Sequence, residues 1–245
     1  MASCNCVTAM ILAGGLGTRL REVIAYCPKV LAPVNGRPFL SFLLDRLAGA
    51  GIKRVILCTG FMAEMVQNAF GENYLGMELR YSREETPLGT GGALRLALPL
   101  ADSNPVLVMN GDSFCDADLG MFLKQHSLVS ALASLVLVHV PDISRYGAVD
   151  MNGTGLITSF VEKGTRKGGG MINAGIYLLD RQVLESIPLG VQTSLERDIF
   201  PGLISHGIFG FTQCARFIDI GIPSDYHAAT GYMIDDLNSS NGDIL

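Results

Sequence analysis

The sequence predicts an α/β fold with a mostly parallel central sheet and helices on both faces. Short, continuously apolar runs alternate with helix-period patterns through the first half of the chain. After Val140 the pattern changes to short strands around an Asn-Gly turn, typical of antiparallel pairing. We therefore expect a smaller mixed layer, more antiparallel in character, laid over the parallel half.

Four apolar runs in the first half have the length and composition of buried strands. They are TAMILAG, KRVILCTG, MELRYS and PVLVMNGD, and the segments PFLSFLLDRLAGAG and FMAEMVQNAFG between them have helical spacing. Gly14 and Asp112 each follow one of these strands. Because open α/β sheets bind ligands beyond the carboxyl ends of their strands, both residues are predicted at a binding edge.

The second half supplies further elements. YGAVDMNGTGLITSFVEKG predicts two strands, MINAGIYLLD a third and ARFIDIG a last one. TSLERDIFPGLI predicts a helix with a Thr/Ser cap, and another helix begins at Pro223. We expect one domain over 1–235, divided into 1–140, 141–213 and 214–235, with a polar tail over 236–245.

Composition excludes several classes of protein. Of the 245 residues 49% are hydrophobic and 17% charged, and the net charge of −5 with no basic stripe argues against a nucleic-acid partner. No apolar run approaches the length of a membrane span, and MASCNCVTAM lacks the features of a signal peptide. The six scattered cysteines predict reduced thiols in a cytoplasmic protein, and Cys4 and Cys6 lack a partner pair for structural zinc.

The segment MILAGGLGTRL, residues 10–20, is a glycine-rich turn after a strand. Leu20 stands where a dinucleotide fingerprint needs its third glycine, and Gly17-Thr18-Arg19 replaces the Gly-Lys-Ser/Thr of a Walker A loop. Glycines still allow backbone N–H groups to surround phosphate oxygens, and arginine offers a planar fork for them. A plain strand-to-helix turn is the alternative for this segment taken alone.

The turn does not stand alone. GGLGTR and the following CPKVLAPVNGRPFL resemble the signature of the sugar-1-phosphate nucleotidylyltransferases. The resemblance continues in order through PLGTGGAL, NGDSF, RYGAV, FVEKG, INAGIYLL and FIDIGIPSDY. It implies a Rossmann-like, GT-A-like nucleotidyltransferase fold, in which 1–140 binds the nucleotide, 141–213 mainly the sugar, and 214–235 returns a metal ligand.

The family reaction is attack of a sugar-1-phosphate oxygen on the α-phosphorus of a nucleoside triphosphate, with release of pyrophosphate. The resemblance assigns catalysis to Arg19, Lys29, Asp112 and Asp219, and Mg²⁺ to the two aspartates, whose hard oxygens suit that ion. Nucleotide binding is assigned to Leu12, Ala13, Gly14, Gly15, Gly17, Thr18, Arg19, Lys29, Pro87, Gly89, Thr90 and Asp112. Sugar-phosphate binding is assigned to Gly147, Glu162, Lys163 and Asn173.

Within the family, PLGTGGAL resembles guanylyltransferases and favours GTP. PVNGRPFL, TPLGTGGAL and FIDIGIPSDY are most similar to the enzymes that act on D-glycero-D-manno-heptose 1-phosphate, with mannose 1-phosphate or another sugar 1-phosphate as the alternative. One position departs from the family, since Val30 follows the lysine where proline is usual. The resemblance implies small-molecule substrates, no membrane partner, and leaves a homodimer open.

Two other functions remain as alternatives. Asp116 and Asp118 form an Asp-x-Asp that would hold a metal in a nucleotide-sugar glycosyltransferase, although we interpret them as a helix start. A non-catalytic subunit that senses sugar nucleotides is the second alternative. Such a subunit is expected to lose a metal carboxylate or the phosphate-binding cations, and this chain retains all of them.

Overall fold

A computed structural model describes residues 6–20, 23–24, 26–161, 164–214 and 216–233. Cys4 and the predicted polar tail lie outside these residues. Among the described residues, no helix is long and apolar enough to cross a membrane.

A ten-stranded sheet organises the molecule. Four strands that run parallel form one part of it, in the order β7, β1, β4 and β6. Their bounds are Val106–Asn110 for β7, Thr8–Ala13 for β1, Arg54–Thr59 for β4 and Met77–Arg83 for β6. These are the four strands that the sequence predicts, and the short β5 (Asn73–Tyr74) closes the edge beyond β6.

Apolar side chains on both faces of β1 explain why it lies inside the sheet. Ile11 packs into one hydrophobic core and Met10 into the other, because successive side chains of a strand point to opposite faces. The helix α1 (Phe39–Gly49) covers the first face and α3 (Gly89–Ala97) the second. The predicted coverage of both faces is confirmed.

The other helices follow the predicted signals, except α5, which the sequence does not predict. Asp118 caps α4 by accepting a hydrogen bond from the amide of Met121, and Ser194 accepts one from Arg197 at the start of a π-helical turn over Leu195–Ile199. The remaining helices are α2 (Ala63–Phe70), α4 (Leu119–Val129), α5 (Arg181–Glu185), α6 (Phe200–Leu203) and α7 (Pro223–Tyr232).

The antiparallel part continues the same sheet and does not form a separate layer over it. The long strand β12 (Gly170–Leu179) pairs along one edge with β9 (Ala133–Val140), and its other edge pairs with β7 and with β10 (Ala148–Met151). The register between β12 and β9 shifts between Asn173 and Tyr177, where the other edge of β12 passes from β10 to β7. The strand β11 (Ile157–Val161) pairs antiparallel with β10, whereas β13 (Ile208–Phe211) pairs parallel with β9, so this part of the sheet is mixed.

Two small ladders lie outside the main sheet. The strands β2 (Pro33–Val34) and β3 (Arg37–Pro38) form a tight hairpin. The strand β8 (Ser113–Cys115) pairs antiparallel with β14 (Phe217–Asp219), so the predicted last strand is present but does not join the central sheet. This second ladder determines where two predicted site residues meet.

Candidate active site

The glycine loop follows β1 and passes over Lys29. Gly17 has a φ of +59°, and a Cβ at this position would lie 3.2 Å from the Cβ of Lys29. Glycine is therefore required both by the backbone conformation and by the close approach of the lysine stem. The loop fixes the direction from which Lys29 enters the site.

The β8–β14 ladder brings the two predicted carboxylates together. Asp112 directly precedes β8 and Asp219 ends β14, and Ser113 stands opposite Asp219 in the ladder. The amide of Ile220 donates a hydrogen bond of 3.0 Å to the carbonyl oxygen of Asp112. Two acidic residues that are remote in sequence thus become neighbours at the carboxyl edge of the sheet.

Lys29 lies between these carboxylates. Its Nζ is 2.8 Å from Oδ2 of Asp112 and 3.5 Å from Oδ1 of Asp219, and its side chain is only 12% exposed. Burial, and then the charge of Asp112, raises the pKa of Asp219, while Lys29 and the amide of Gly221 oppose this shift. The paired negative charge favours a bound cation, which here is the ammonium group.

The first cavity, of about 280 Å³, opens beyond the ends of the parallel strands. Its walls come from the glycine loop, from Lys29 and from the segment that begins α3. The lining residues are Leu12, Gly14, Gly15, Leu16, Lys29, Val30, Cys58, Glu84, Pro87, Gly89, Thr90, Ala93, Asn110, Asp112 and Gln192.

The second cavity, of about 600 Å³, lies on the antiparallel side. Side chains of β10, β11, β12 and the π-helical turn form its walls. The lining residues are Asn110, Asp112, Ser113, Tyr146, Gly147, Ala148, Val149, Phe160, Val161, Asn173, Gly175, Ser194, Glu196, Arg197, Pro201, Phe217 and Asp219.

The two cavities meet at Asn110 and Asp112, which line both of them. Two ligands bound side by side would therefore approach each other next to the Asp112 carboxylate. Lys29 contributes to the first cavity and Asp219 to the second, on either side of this junction. The geometry suits a reaction between two anionic substrates near a cation.

Most of the predicted site residues lie at these cavities. Leu12, Gly14, Gly15, Lys29, Pro87, Gly89, Thr90 and Asp112 line the first, whereas Gly147, Asn173 and Asp219 line the second. The remaining predicted residues fall into three groups. Ala13 is buried in β1, Gly17, Thr18 and Arg19 lie in the loop outside the cavity lining, and Glu162 and Lys163 lie outside the described residues.

The sequence analysis missed Glu84, which stands immediately after β6. Its Oε2 accepts a hydrogen bond of 2.9 Å from the amide of Leu88, and its Oε1 would lie 2.7 Å from a Cβ on Gly14 and 2.8 Å from one on Gly60. The carboxylate thus occupies a notch that only glycines leave open, and burial raises its pKa. A glutamate directly after a predicted strand was the signal available in the sequence.

A hydrogen-bonded network between the cavities was also missed. Tyr177 is fully buried, and its hydroxyl accepts from Nδ2 of Asn173 (2.9 Å) and donates to Oε1 of Glu196 (3.2 Å). Oε2 of Glu196 accepts from the hydroxyls of Thr90 (3.0 Å) and Ser194 (2.9 Å). The segment TSLER carries two hydroxyl residues and a glutamate, but its sequence alone predicts only a helix start.

Two sequence predictions concern residues near the β8–β14 ladder. Asp118 is a helix cap as predicted, whereas both carboxylate oxygens of Asp116 bind the amide and side chain of Arg216. The prediction that all six cysteines are reduced is wrong for Cys115 and Cys214, which form a disulfide with their Cα atoms 6.5 Å apart. The ladder brings them together, and spacing in the sequence could not reveal this pairing.

Comparisons with known proteins agree with this architecture. The family model described as "Nucleotidyl transferase" matches residues 8–235. D-glycero-alpha-D-manno-heptose 1-phosphate guanylyltransferase of Aneurinibacillus thermoaerophilus is 38% identical over 90% of this chain and 96% of its own length. Mannose-1-phosphate guanylyltransferase of Mycobacterium tuberculosis is also 38% identical, over 90% of this chain and 62% of its own length.

A solved structure shares the fold at higher coverage. HddC from Yersinia pseudotuberculosis, complexed with GMP-PN, superposes with a TM-score of 0.82 at 34% identity and covers 93% of this chain and 99% of its own. The chain belongs to the nucleotidyl transferase family.

Proposed function

We propose that the protein transfers a guanylyl group from GTP to a sugar 1-phosphate in a Mg²⁺-dependent reaction, with D-glycero-D-manno-heptose 1-phosphate as the favoured acceptor. The observation that carries this proposal is the junction of two cavities at Asp112, with Lys29 held between Asp112 and Asp219. The guanylyltransferases among its relatives support the same reaction.

In this reaction a phosphate oxygen of the sugar 1-phosphate forms a bond to the α-phosphorus of GTP. The bond between the α-phosphorus and the bridging oxygen breaks, and pyrophosphate leaves with that electron pair. The attacking oxygen is already ionised, so the chain needs no strong general base. It must bring two anions together, and Lys29 offers a largely buried cation where they meet.

Asp112 and Asp219 fit a magnesium ion. Their side chains are 44% and 34% exposed, share one cation, and present the hard oxygen ligands that Mg²⁺ prefers. When bound, the ion would supply further positive charge to the phosphate oxygens. Lys29 would then release at least one carboxylate and place its ammonium group against a phosphate.

Glu84 supports guanine as the base. Asp112 follows β7 and Glu84 follows β6, three strand spacings or about 14 Å apart along the sheet edge. If the phosphates of the nucleotide bind at Asp112, its base would therefore lie near Glu84. A carboxylate only accepts hydrogen bonds, and guanine offers two adjacent donor groups on its pairing edge, whereas adenine, cytosine and uracil each offer a single donor group there.

The size of the second cavity supports a hexose or heptose ring, and the relatives include enzymes named for each. A mannose-1-phosphate guanylyltransferase is therefore the second candidate. The Asp-x-Asp of a glycosyltransferase is disfavoured because Asp116 binds Arg216 and Asp118 caps α4. A cytoplasmic location and a homodimer stay predictions from the sequence.

The decisive experiment incubates purified protein and MgCl₂ with each of four nucleoside triphosphates and a panel of sugar 1-phosphates, and measures pyrophosphate. The panel contains the manno-heptose, mannose and glucose 1-phosphates. We expect release only when GTP and a manno-configured acceptor are both present, with the heptose preferred. Preference for another nucleotide would overturn the base assignment, and release without any sugar would overturn the transfer reaction.

A further inference from the structure

We infer that Glu196 is a specificity-determining residue, whose carboxylate accepts a hydrogen bond from a ring hydroxyl of the sugar and so orients the ring in the second cavity. This inference rests on the proposed function. It assigns a role to a residue outside the family motifs that the sequence displays.

The Glu196 carboxylate has one hydrogen-bond acceptor position that no described residue fills. An ionised carboxylate has about four acceptor positions, two on each oxygen. Oε2 of Glu196 receives the hydroxyls of Thr90 and Ser194, which fill its two positions. Oε1 receives only the hydroxyl of Tyr177, so one position remains, and Glu196 lines the second cavity.

Asn173, which the sequence analysis assigns to sugar binding, is hydrogen-bonded within the protein. Its Nδ2 donates to Tyr177 and its Oδ1 accepts from the amide of Gly175 at 2.9 Å. Both ends of the amide are thus engaged within the protein. Asn173 holds Tyr177 in place, and Tyr177 in turn orients Glu196.

A second acceptor without a hydrogen-bond donor lies in the same region. Oδ1 of Asn110 is buried and has no hydrogen-bond partner among the described residues. Asn110 lines both cavities. Unpaired acceptors at a cavity match a ligand rich in hydroxyl donors.

Charge then fixes the orientation of the ligand. A phosphate dianion against the Glu196 carboxylate would be repelled, whereas the phosphate is attracted to Lys29 at the junction of the cavities. The sugar therefore enters with its 1-phosphate toward Lys29 and its ring hydroxyls toward Glu196. Thr90, which holds Glu196 from the wall of the first cavity, ties this orientation to the helix that borders the nucleotide.

The test combines Glu196→Gln with α-D-mannose 1-phosphate and its monodeoxy analogues. In the wild type, loss of the recognised hydroxyl should lower kcat/KM by roughly 10- to 100-fold for one analogue. In Glu196→Gln the same analogue should lose less than about threefold, since the charged acceptor is already gone. KM for GTP should remain unchanged in the variant.

Matched controls separate recognition from folding. Glu185→Gln alters an exposed glutamate of α5 that pairs with Arg181, and it should behave as the wild type with every analogue. If circular dichroism shows that Glu196→Gln does not fold, Glu196→Asp is used in its place in the same comparison. The shorter aspartate retains the charge but withdraws the carboxylate from the cavity.

The outcomes are distinct. Equal losses in wild type and variant for every analogue would overturn the inference, because a purely structural residue would not discriminate between them. The same conclusion would follow if no analogue lost activity with the wild type. Absence of turnover with any sugar 1-phosphate would instead overturn the proposed function.

Discussion

The two cavities that meet at Asp112 are built in different ways. Strand ends, glycines and one buried lysine form the first, so its shape comes mainly from the backbone of four parallel strands. Side chains from antiparallel strands and a helical turn form the second, and Tyr177 and Glu196 hold its wall through hydrogen bonds. Backbone shape suits phosphates that every nucleotide carries, whereas side-chain networks suit the recognition of one sugar among many.

The largest expected effect is at the two carboxylates that contact Lys29 at the junction of the cavities. Asp112→Asn and Asp219→Asn keep the side-chain size but remove the charge, and we expect kcat to fall by roughly 10³-fold or more. Steady-state pyrophosphate release at saturating Mg²⁺ measures this. Near wild-type turnover in either variant would show that the aspartate concerned is not a metal ligand.

Lys29→Met should lower kcat by roughly 10²- to 10³-fold, because it removes the cation at the junction of the two anionic substrates. The resemblance assigns Arg19 to the nucleotide, so Arg19→Ala should raise KM for GTP and leave KM for the sugar unchanged. Arg19 is exposed, and its replacement should change the free energy of unfolding by less than about 0.5 kcal/mol. A folded Lys29→Met enzyme with unchanged kcat/KM would contradict the assignment.

Glu84→Gln tests whether the first cavity binds guanine through Glu84. It should affect GTP in the way that Glu196→Gln affects the sugar in the second cavity. We expect kcat/KM for GTP to fall roughly 10- to 100-fold while KM for the sugar stays constant. Glu85→Gln is the matched control, because Glu85 is the neighbouring residue but does not line this cavity. If Glu84→Gln raised the KM of the sugar instead, the assignment of the first cavity to the nucleotide and the second to the sugar would be wrong.

The same carboxylate predicts a pH dependence. Burial raises the pKa of Glu84, so its charged form is lost at a higher pH than for an exposed glutamate. As pH falls through this raised pKa, the protonated carboxyl offers guanine one acceptor fewer, and KM for GTP should rise. In Glu84→Gln this rise should be absent, which kinetics at a series of pH values can establish.

The smallest effect on activity is expected at Cys214. Hydrogen bonds of the ladder and the Arg216–Asp116 pair remain when the disulfide is removed, so Cys214→Ser should retain kcat within about twofold. The bond closes a loop between residues 99 apart, and its loss should lower the free energy of unfolding by about 2–4 kcal/mol without reductant. With dithiothreitol, wild type and variant should unfold alike, and a thiol assay should find two more reactive groups in the reduced wild type than in the oxidised form.

The sequence predicted the first cavity better than the second for a physical reason. Buried strands and glycine turns are local patterns, and the strands ending near Gly14 and Asp112 lie where their apolar runs indicated. It also predicted that Lys29 and Asp219 would join Asp112, through a resemblance rather than through the pattern itself. Their roles as catalytic residues stay predictions.

The second cavity depends on contacts that no local pattern encodes. Thr90 and Glu196 are 106 residues apart. The register shift between β12 and β9 at Asn173 and Tyr177 likewise arises from tertiary pairing. The β9 strand ASLVLVHV was not recognised, although it is apolar and mostly buried. Because a hydrogen bond needs atoms within about 3 Å, networks of this kind become visible only when the fold is known.

The β8–β14 ladder has a consequence for the order in which the protein is made. Synthesis proceeds from the N-terminus, so a growing chain holds the glycine loop, Lys29 and Asp112 long before Asp219 emerges. Until β14 docks against β8, the chain has only one carboxylate of the pair. If the two aspartates hold Mg²⁺ as proposed, a chain that ends before β14 would lack the second ligand, and turnover would begin only once this late strand has docked.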